Sequence, residues 1–215
     1  MSPDFSKELD DALCAFAAGE DKGVDLLKQL LLFVPDKETA SKVVDQIKDE
    51  VKHARYFSTQ LKDLDIDCEG LKKNLKSLYD YAQSCVDEQD WVKCMAVQAV
   101  IEELAMAAFV HRYPQFDKSV QVILEEVIGD EKRHLAFALS ELAKCLDDDN
   151  RAKMEEVHSK AIEIMLGAAR EKQLDDLEQK EALQIMKKAY FLHKGRLKQI
   201  GVEIPGLPGL LKFTV

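Results

Sequence analysis

Two Glu-x-x-His pairs interrupt otherwise apolar faces of predicted helices. Glu131 and His134 form one pair, and Glu50 and His53 form the other. A carboxylate buried without a partner costs several kcal/mol, so an unpaired glutamate is not expected on a face that points into the core. Carboxylate and imidazole groups together suit iron or manganese. Each pair is therefore predicted to bind a metal ion.

Two further apolar faces also contain acidic residues. Glu20 interrupts the face of the first predicted helix. In the long apolar segment after residue 88, Glu102 and Glu103 are adjacent, and each shares a face with apolar neighbours. Helical periodicity does not distinguish between these two acids, so either one can be the acidic ligand from this segment.

The elements that position these residues are predicted to be helices. Apolar residues recur at i, i+3, i+4 and i+7 through most of the chain, while Pro35, Pro114 and the polar run 147–150 mark the sharpest turns. This pattern predicts an all-α up-and-down bundle, with a long crossover between the second and third of its four long helices. The predicted helices are 5–33, 37–64, 69–85, 88–112, 116–146, 151–172 and 175–199.

The four acidic positions are predicted to lie at one height in this bundle. Glu20 lies 15 residues before Pro35 and Glu50 lies 15 residues after it, so an antiparallel pair of helices brings them level. Glu102 and Glu131 are likewise centred on the next tight turn. Two divalent ions would neutralise four carboxylates, and Glu from two helices with Glu-x-x-His from the other two is the pattern of di-metal carboxylate proteins.

The remaining histidines are predicted to have no part in this centre. Glu155 and His158 form a third Glu-x-x-His pair, but they lie early in their helix, about four residues out of level, and their charged neighbours predict a solvated face. His111 and His193 are interpreted as ordinary histidines near helix ends.

Composition excludes several classes of partner. The chain has 215 residues with a formal net charge of −10 and contains no basic cluster interleaved with aromatics, so nucleic acid and anionic membrane surfaces are not expected partners. No apolar run near the N-terminus is long enough to cross a bilayer. The five cysteines include no CxxC pair and predict neither a disulfide framework nor a zinc ribbon. A cytoplasmic location is expected.

The domain organisation is predicted to be simple. The whole chain, 1–215, is expected to form one helical domain with its metal-binding bundle at about 5–146. Accessory helices are expected at about 151–199. The last segment, 200–215, contains two prolines and is predicted to be an extended arm on an apolar groove.

The constellation resembles the ferritin-like di-iron carboxylate proteins over roughly residues 5–146, because four helices contribute six ligands in the same order. This resemblance implies a ferritin-like four-helix bundle. An Asp precedes each Glu-x-x-His motif, at Asp49 and Asp130. This is similar to bacterial multicomponent monooxygenases and ribonucleotide reductase small subunits, in which that Asp orients a ligand histidine.

A more specific resemblance is to the aldehyde-deformylating oxygenases, or fatty aldehyde decarbonylases. Gly19-Glu20 followed by Pro35, HARYF from His53, IEELAMAAF from Ile101 and DEKRHLAF from Asp130 all look like segments of that family. The resemblance selects Glu102 over Glu103. The implied metal ligands are then Glu20, Glu50, His53, Glu102, Glu131 and His134.

The predicted function is that of an O₂-activating non-haem di-iron oxygenase or oxidase with a small, apolar organic substrate. Two iron ions are expected, with a manganese–iron pair as the alternative, and O₂ as co-substrate. Phe57 stands where a radical-generating reductase subunit would have a tyrosine, whereas Tyr56 points elsewhere. Phe57 and Met106 are expected to line the substrate pocket.

The sequence shows no flavin or iron–sulfur motif, so a partner that supplies electrons is expected. Electrons are expected from an external donor, a ferredoxin or a reductase, and a homodimer is a further arrangement that stays open. The alternative function is that of a rubrerythrin-like peroxide reductase or an iron-handling protein.

Overall fold

Seven α-helices make up the part of the chain that the structure describes. The structure is a computed structural model, and it describes residues 3–68, 73–169 and 176–204. Within these residues there is no strand, which confirms the all-α prediction, and the predicted helix boundaries agree to within three residues where they are described. The helices are α1 (Pro3–Leu30), α2 (Lys37–Asp63), α3 (Lys73–Asp87), α4 (Trp91–Arg112), α5 (Lys118–Lys144), α6 (Asp148–Ala169) and α7 (Asp176–Gln199).

Aspartate side chains begin three of the four long bundle helices. Asp36 Oδ1 accepts a hydrogen bond from the backbone N–H of Thr39 at the start of α2. Asp90 and Asp117 cap α4 and α5 in the same way. Such caps satisfy the unpaired N–H groups of the first turn and oppose the positive end of the helix dipole. They therefore help to fix where each helix begins, and hence the height of the acidic residues along it.

Helix α4 lies at the centre of the molecule. It forms an antiparallel hairpin with α5 through the short 3₁₀ turn Tyr113–Gln115, and it packs against α3, α6 and α7. Helices α1 and α2 form the second hairpin. Residues Trp91–Gln115 are long and apolar enough to cross a membrane by composition, but 61% of the apolar window is buried inside the molecule. The surrounding helices account for its apolar surface.

The apolar core consists of two clusters. The large core cluster joins α4 to α3, α6 and α7 and reaches the ends of α1 and α2 next to the first turn; it includes Leu27, Val43, Met95, Leu142, Met154 and Leu197. The small core cluster joins the opposite ends of the bundle helices and includes Leu13, Phe57, Phe109 and Leu124. Along each bundle helix, the acidic residue at the predicted height lies near the change from one cluster to the other.

The predicted C-terminal arm begins against the large core cluster. Val202 is fully buried and Ile204 is 3% exposed, while the Arg151 side chain contacts the carbonyl oxygen of Gly201. The rest of the predicted arm, 205–215, lies outside the described residues.

The prediction that no disulfide forms is wrong. Cys14 on α1 is bonded to Cys68 after the end of α2, with 5.6 Å between their Cα atoms. The two cysteines are 54 residues apart, and only the antiparallel packing of α1 and α2 brings them within bonding distance. The sequence offered no spacing signal for this pair. Cys85, Cys94 and Cys145 are free thiols.

Thiol titration tests the disulfide. Unfolding the oxidised protein without reductant is expected to expose three reactive thiols per chain, whereas reduction should expose all five. The variant Cys14→Ser should show four thiols without reductant, because Cys68 loses its partner. Five thiols in the unreduced wild-type protein would contradict the pairing.

Candidate metal centre

Six buried side chains from four helices converge in the middle of the bundle. Each is at most 7% exposed. They are Glu20 on α1, Glu50 and His53 on α2, Glu102 on α4, and Glu131 and His134 on α5. The structure therefore brings together all six residues that the sequence analysis selected.

These side chains form two overlapping groups. One group is Glu20, Glu50, His53 and Glu131, and the other is Glu50, Glu102, Glu131 and His134. In each group, one oxygen or nitrogen atom from every residue lies within 4.8 Å of the others. Glu50 and Glu131 belong to both groups. The arrangement fits two metal ions. Glu50 and Glu131 are available to both ions, and each ion has one further carboxylate and one imidazole within its group.

The two shared carboxylates each present one oxygen to each histidine. For Glu131, Oε1 lies 3.2 Å from Nδ1 of His53 and Oε2 lies 3.2 Å from Nδ1 of His134. For Glu50, the corresponding distances are 3.9 Å from Oε2 to His53 and 3.2 Å from Oε1 to His134. Among the described residues, His53 Nδ1 and Glu131 Oε1 have no hydrogen-bond partner although both are buried. A metal ion between them would satisfy both atoms.

Each histidine contacts an aspartate that precedes the other histidine's motif. Nε2 of His53 lies 3.0 Å from Oδ2 of Asp130, and Nε2 of His134 lies 3.3 Å from Oδ2 of Asp49. An ionised aspartate accepts a hydrogen from Nε2 and so directs Nδ1 toward the cluster. Asp49 and Asp130 therefore lie where residues that orient the two histidines were expected.

Two cations hold these aspartates in place. Arg133 donates to both, with its guanidinium nitrogens 2.6 Å from Asp130 Oδ1 and 3.0 Å from Asp49 Oδ2. Lys52 Nζ lies 2.5 Å from Asp130 Oδ2. Burial opposes ionisation of Asp130, but hydrogen bonds from Lys52, His53 and Arg133 lower its pKa to about 2. These contacts link α2 to α5 at the height of the histidines.

Gln46 is a polar residue of the site that the sequence analysis missed. It is 3% exposed, and its amide Nε2 donates to Oε1 of Glu102 at 2.9 Å and to Oε1 of Glu50 at 3.3 Å. Gln46 lies one turn before Glu50 on the same face of α2, and this spacing was an available signal. Gln46 thus fixes the orientation of the Glu102 carboxylate relative to that of Glu50.

The pKa values show how the metal-free chain tolerates four buried acids. Burial, together with neighbouring carboxylates, raises the pKa of Glu20 and of Glu102 well above the usual value. Burial opposes the charged form of His134, but hydrogen bonds to Glu131 and Glu50 raise its pKa to about 12. The metal-free cluster therefore holds protons that divalent ions would displace. The donor set fits two such ions.

Glu103 faces away from this cluster. Its Oε2 accepts a hydrogen bond from Nε of Arg196 on α7 at 2.8 Å, and its side chain is 1% exposed. Burial raises the pKa of Glu103, while Arg196 opposes that shift. The two adjacent glutamates thus point to different sides of α4, Glu102 toward the six-residue cluster and Glu103 toward the C-terminal helices.

The predicted solvated position of His158 is wrong. His158 is fully buried, and its ring stacks on that of His193 with 4.7 Å between centroids, beside Glu103. Burial lowers the pKa of His158 to about 4. Met154 and Ala161, one turn to either side of His158, form a buried face of α6 that outweighs the charged neighbours. His158 is not part of the six-residue cluster.

An apolar cavity of about 220 Å³ lies beside the six-residue cluster. Its walls come mainly from α1, α3 and α4, with one residue, Ile185, from α7. Four of the cluster's acids line it: Glu20, Glu50, Glu102 and Glu131. The other lining residues are mostly apolar, and several are small. The cavity therefore suits an apolar molecule whose reactive end meets the acids.

Phe57 and Met106, the expected pocket residues, are not among the described residues that line this cavity. Phe57 is fully buried behind Phe16 and Phe109, with ring centroids 5.5 and 6.0 Å away. Met106 packs in the large core cluster. The cavity opens between α1, α3 and α4, so Phe16 and Phe109 form its aromatic wall instead.

Tyr79 on α3 is a further residue that the sequence analysis missed. It lines the cavity beside the acids. Burial, followed by the charges of Glu20 and Glu102, raises its pKa well above the usual value. Helix α3 supplies no member of the six-residue cluster, so no motif drew attention to it.

A model of a known protein family matches most of the chain. The family model described as long-chain fatty aldehyde decarbonylase matches residues 12–204, a range that includes all six cluster residues. The chain belongs to the long-chain fatty aldehyde decarbonylase family. Membership of the decarbonylase family confirms the resemblance found in the sequence and the prediction of an oxidative enzyme.

A solved structure confirms the fold of this decarbonylase family member. The chain is similar to a protein described as "Protein 19 with aldehyde deformylating oxidase activity from Synechococcus", with a TM-score of 0.81 and 17% identity. The match covers 99% of this chain and 98% of that one. The predicted ferritin-like bundle with additional C-terminal helices is therefore confirmed. No curated protein sequence matches the chain.

Proposed function

We propose that this chain is an O₂-activating di-iron oxygenase that removes the carbonyl carbon from an apolar aldehyde. The observation that supports the proposal is the apolar cavity whose lining includes four acids of the six-residue cluster. Family membership supports the aldehyde as substrate class.

Two iron ions would be held by the six-residue cluster, with a manganese–iron pair as the alternative. When bound, they would supply the reduction of O₂ by electrons from a ferredoxin or a reductase. Glu50 and Glu131 would contribute to holding both ions, and Glu20 and Glu102 would each contribute to holding one. Asp49 and Asp130 would keep both imidazoles turned toward the ions.

The rest of the chain would bind and position the substrate. The cavity would enclose the hydrocarbon tail and exclude water from the reacting end. The reaction balances when the aldehyde and O₂ take up external electrons and protons and release formic acid, water and an alkane one carbon shorter. The C–C bond next to the carbonyl breaks, and the alkane receives a hydrogen in its place.

Product analysis tests this function. Iron-loaded protein, given octanal, O₂ and a reducing system, is expected to form heptane and formate in equal amounts, measured by gas chromatography and a formate assay. Metal-free protein is the control. Rapid loss of hydrogen peroxide without aldehyde consumption would instead favour the rubrerythrin-like peroxide reductase or iron-handling alternative.

No stable tyrosyl radical is expected when the di-ferrous protein meets O₂. Phe57 packs against the aromatic wall, whereas the Tyr56 hydroxyl lies at the surface and donates to Glu126 at 3.2 Å. Electron paramagnetic resonance of freeze-quenched samples measures this directly. A tyrosyl signal in substantial yield that disappears in Tyr56→Phe would place the protein among radical-generating enzymes.

A further inference from the structure

Tyr79 lies where two largely apolar cavities meet. Tyr79 lines both the 220 Å³ cavity and a second, smaller apolar cavity of about 50 Å³. The two cavities also share Glu50 and Glu102 in their lining. The phenol therefore stands where both cavities reach the metal-binding acids.

The backbone of α1 leaves room for this hydroxyl. A Cβ atom placed on Gly19 would lie 3.1 Å from the Tyr79 oxygen, which is tighter than nine in ten Cβ contacts in proteins. Gly19 directly precedes Glu20. A larger residue at position 19 would push the phenol away from the junction, so the absence of a side chain there permits the observed position.

The Tyr79 hydroxyl has a hydrogen that it can donate to a ligand. A phenol is protonated at neutral pH and is a good donor. Apart from the four acids that would bind metal, the polar residues lining the large cavity are Tyr79 and Arg112. Arg112 already forms an ion pair with Glu181 and donates a hydrogen bond to Gln115. Once the acids bind metal, Tyr79 is the donor among the described lining residues that is left available to a ligand.

We propose that the Tyr79 hydroxyl binds the carbonyl oxygen of the ligand and holds its polar end beside the metal-binding acids. This inference rests on the proposed function for the identity of the ligand as an aldehyde. The hydrocarbon tail then extends along the larger cavity, past Phe16 and Phe109. Tyr79 selects molecules with an acceptor oxygen at one end over plain hydrocarbons, and so favours the aldehyde over the alkane product at the same site.

Ligand binding to iron-loaded protein kept free of O₂ tests this without turnover. We expect Tyr79→Phe to weaken the binding of octanal about five- to tenfold, the usual effect of losing one hydrogen bond, and to change octane binding by less than twofold. Displacement of a fluorescent apolar probe measures both affinities. In the infrared spectrum of ¹³C-labelled octanal, the carbonyl stretch of the bound ligand should lie at lower wavenumber with wild-type protein than with Tyr79→Phe.

The matched control is Tyr81→Phe, on the same helix but outside the lining of both cavities, which should leave both affinities and the carbonyl stretch unchanged. Equal weakening of octanal and octane in Tyr79→Phe would show a packing role and overturn the proposal. An unchanged octanal affinity or carbonyl stretch would also overturn it. Failure of the iron-loaded wild-type protein to convert octanal would refute the proposed function alone, because the binding comparison does not depend on turnover.

Discussion

Replacing Glu131 with alanine is expected to reduce the metal content from two ions per chain to one or none. Glu131 belongs to both ligand groups and presents one oxygen toward each histidine. Its removal takes a ligand from both sites at once. Elemental analysis after anaerobic iron loading and desalting measures the result, and far-UV circular dichroism of the metal-free variant verifies that it is folded.

Two controls make this measurement specific. Glu155→Ala changes the acid of the third Glu-x-x-His pair, which lies outside the cluster, and should leave the metal content at the wild-type value. Glu102→Gln should lower the metal content, whereas Glu103→Gln should not, because Glu103 faces Arg196. A wild-type plateau at or below one ion per chain, or equal losses in Glu131→Ala and Glu155→Ala, would refute the di-metal assignment.

The metal-free protein is expected to lose about 3 kcal/mol of unfolding free energy through His158 as the pH falls from about 6.5 to about 4. Burial keeps this imidazole neutral in the folded state and lowers its pKa to about 4, while the unfolded chain binds the proton near the ordinary histidine pKa of 6.5. The unfolded state therefore gains protons first as the solution is acidified. The stabilising contribution is fully present above pH 6.5 and is lost as the pH falls through the folded pKa.

Urea unfolding at several pH values between 7 and 4 measures this loss. The variant His158→Gln lacks the titrating group, so its unfolding free energy should fall by about 3 kcal/mol less than that of the wild type over the same interval. The comparison concerns the pH dependence and not the absolute stability, which the substitution also changes. Parallel curves for the two proteins would show that His158 is not held neutral by burial.

Much of the candidate site was predictable because helical geometry is regular. The Glu-x-x-His spacing, the interrupted apolar faces and the equal distances of Glu20 and Glu50 from Pro35 placed the acids in one layer. Helical periodicity could not distinguish Glu102 from Glu103 as the metal ligand, because α4 packs against neighbouring helices on several sides. Only the resemblance to a family selected Glu102, which the structure places in the cluster.

The residues that were missed depend on packing between elements distant in sequence. Tyr79 lies on the crossover helix α3, and its place in the same cavity lining as the acids follows from how α3 packs on α1 and α4. The Cys14–Cys68 pair likewise follows from helix packing and not from spacing. His158 differs from these residues, because its apolar face is visible in the sequence: Met154 and Ala161 lie one turn to either side of it, and both are buried.

The acidic layer that separates the two core clusters also bears on how the protein unfolds. In the metal-free chain, the Cys14–Cys68 bond stabilises the region on one side and α6 and α7 stabilise the region on the other. The buried acids between these regions, two of which have strongly raised pKa values, weaken the layer that joins them. Two metal ions bound by residues from α1, α2, α4 and α5 would cross-link these helices at the acidic layer. Metal occupancy would thereby determine whether the bundle unfolds as one cooperative unit or in two stages. The protection of amide hydrogens near the acidic layer against exchange would then report the fraction of the protein that has bound metal.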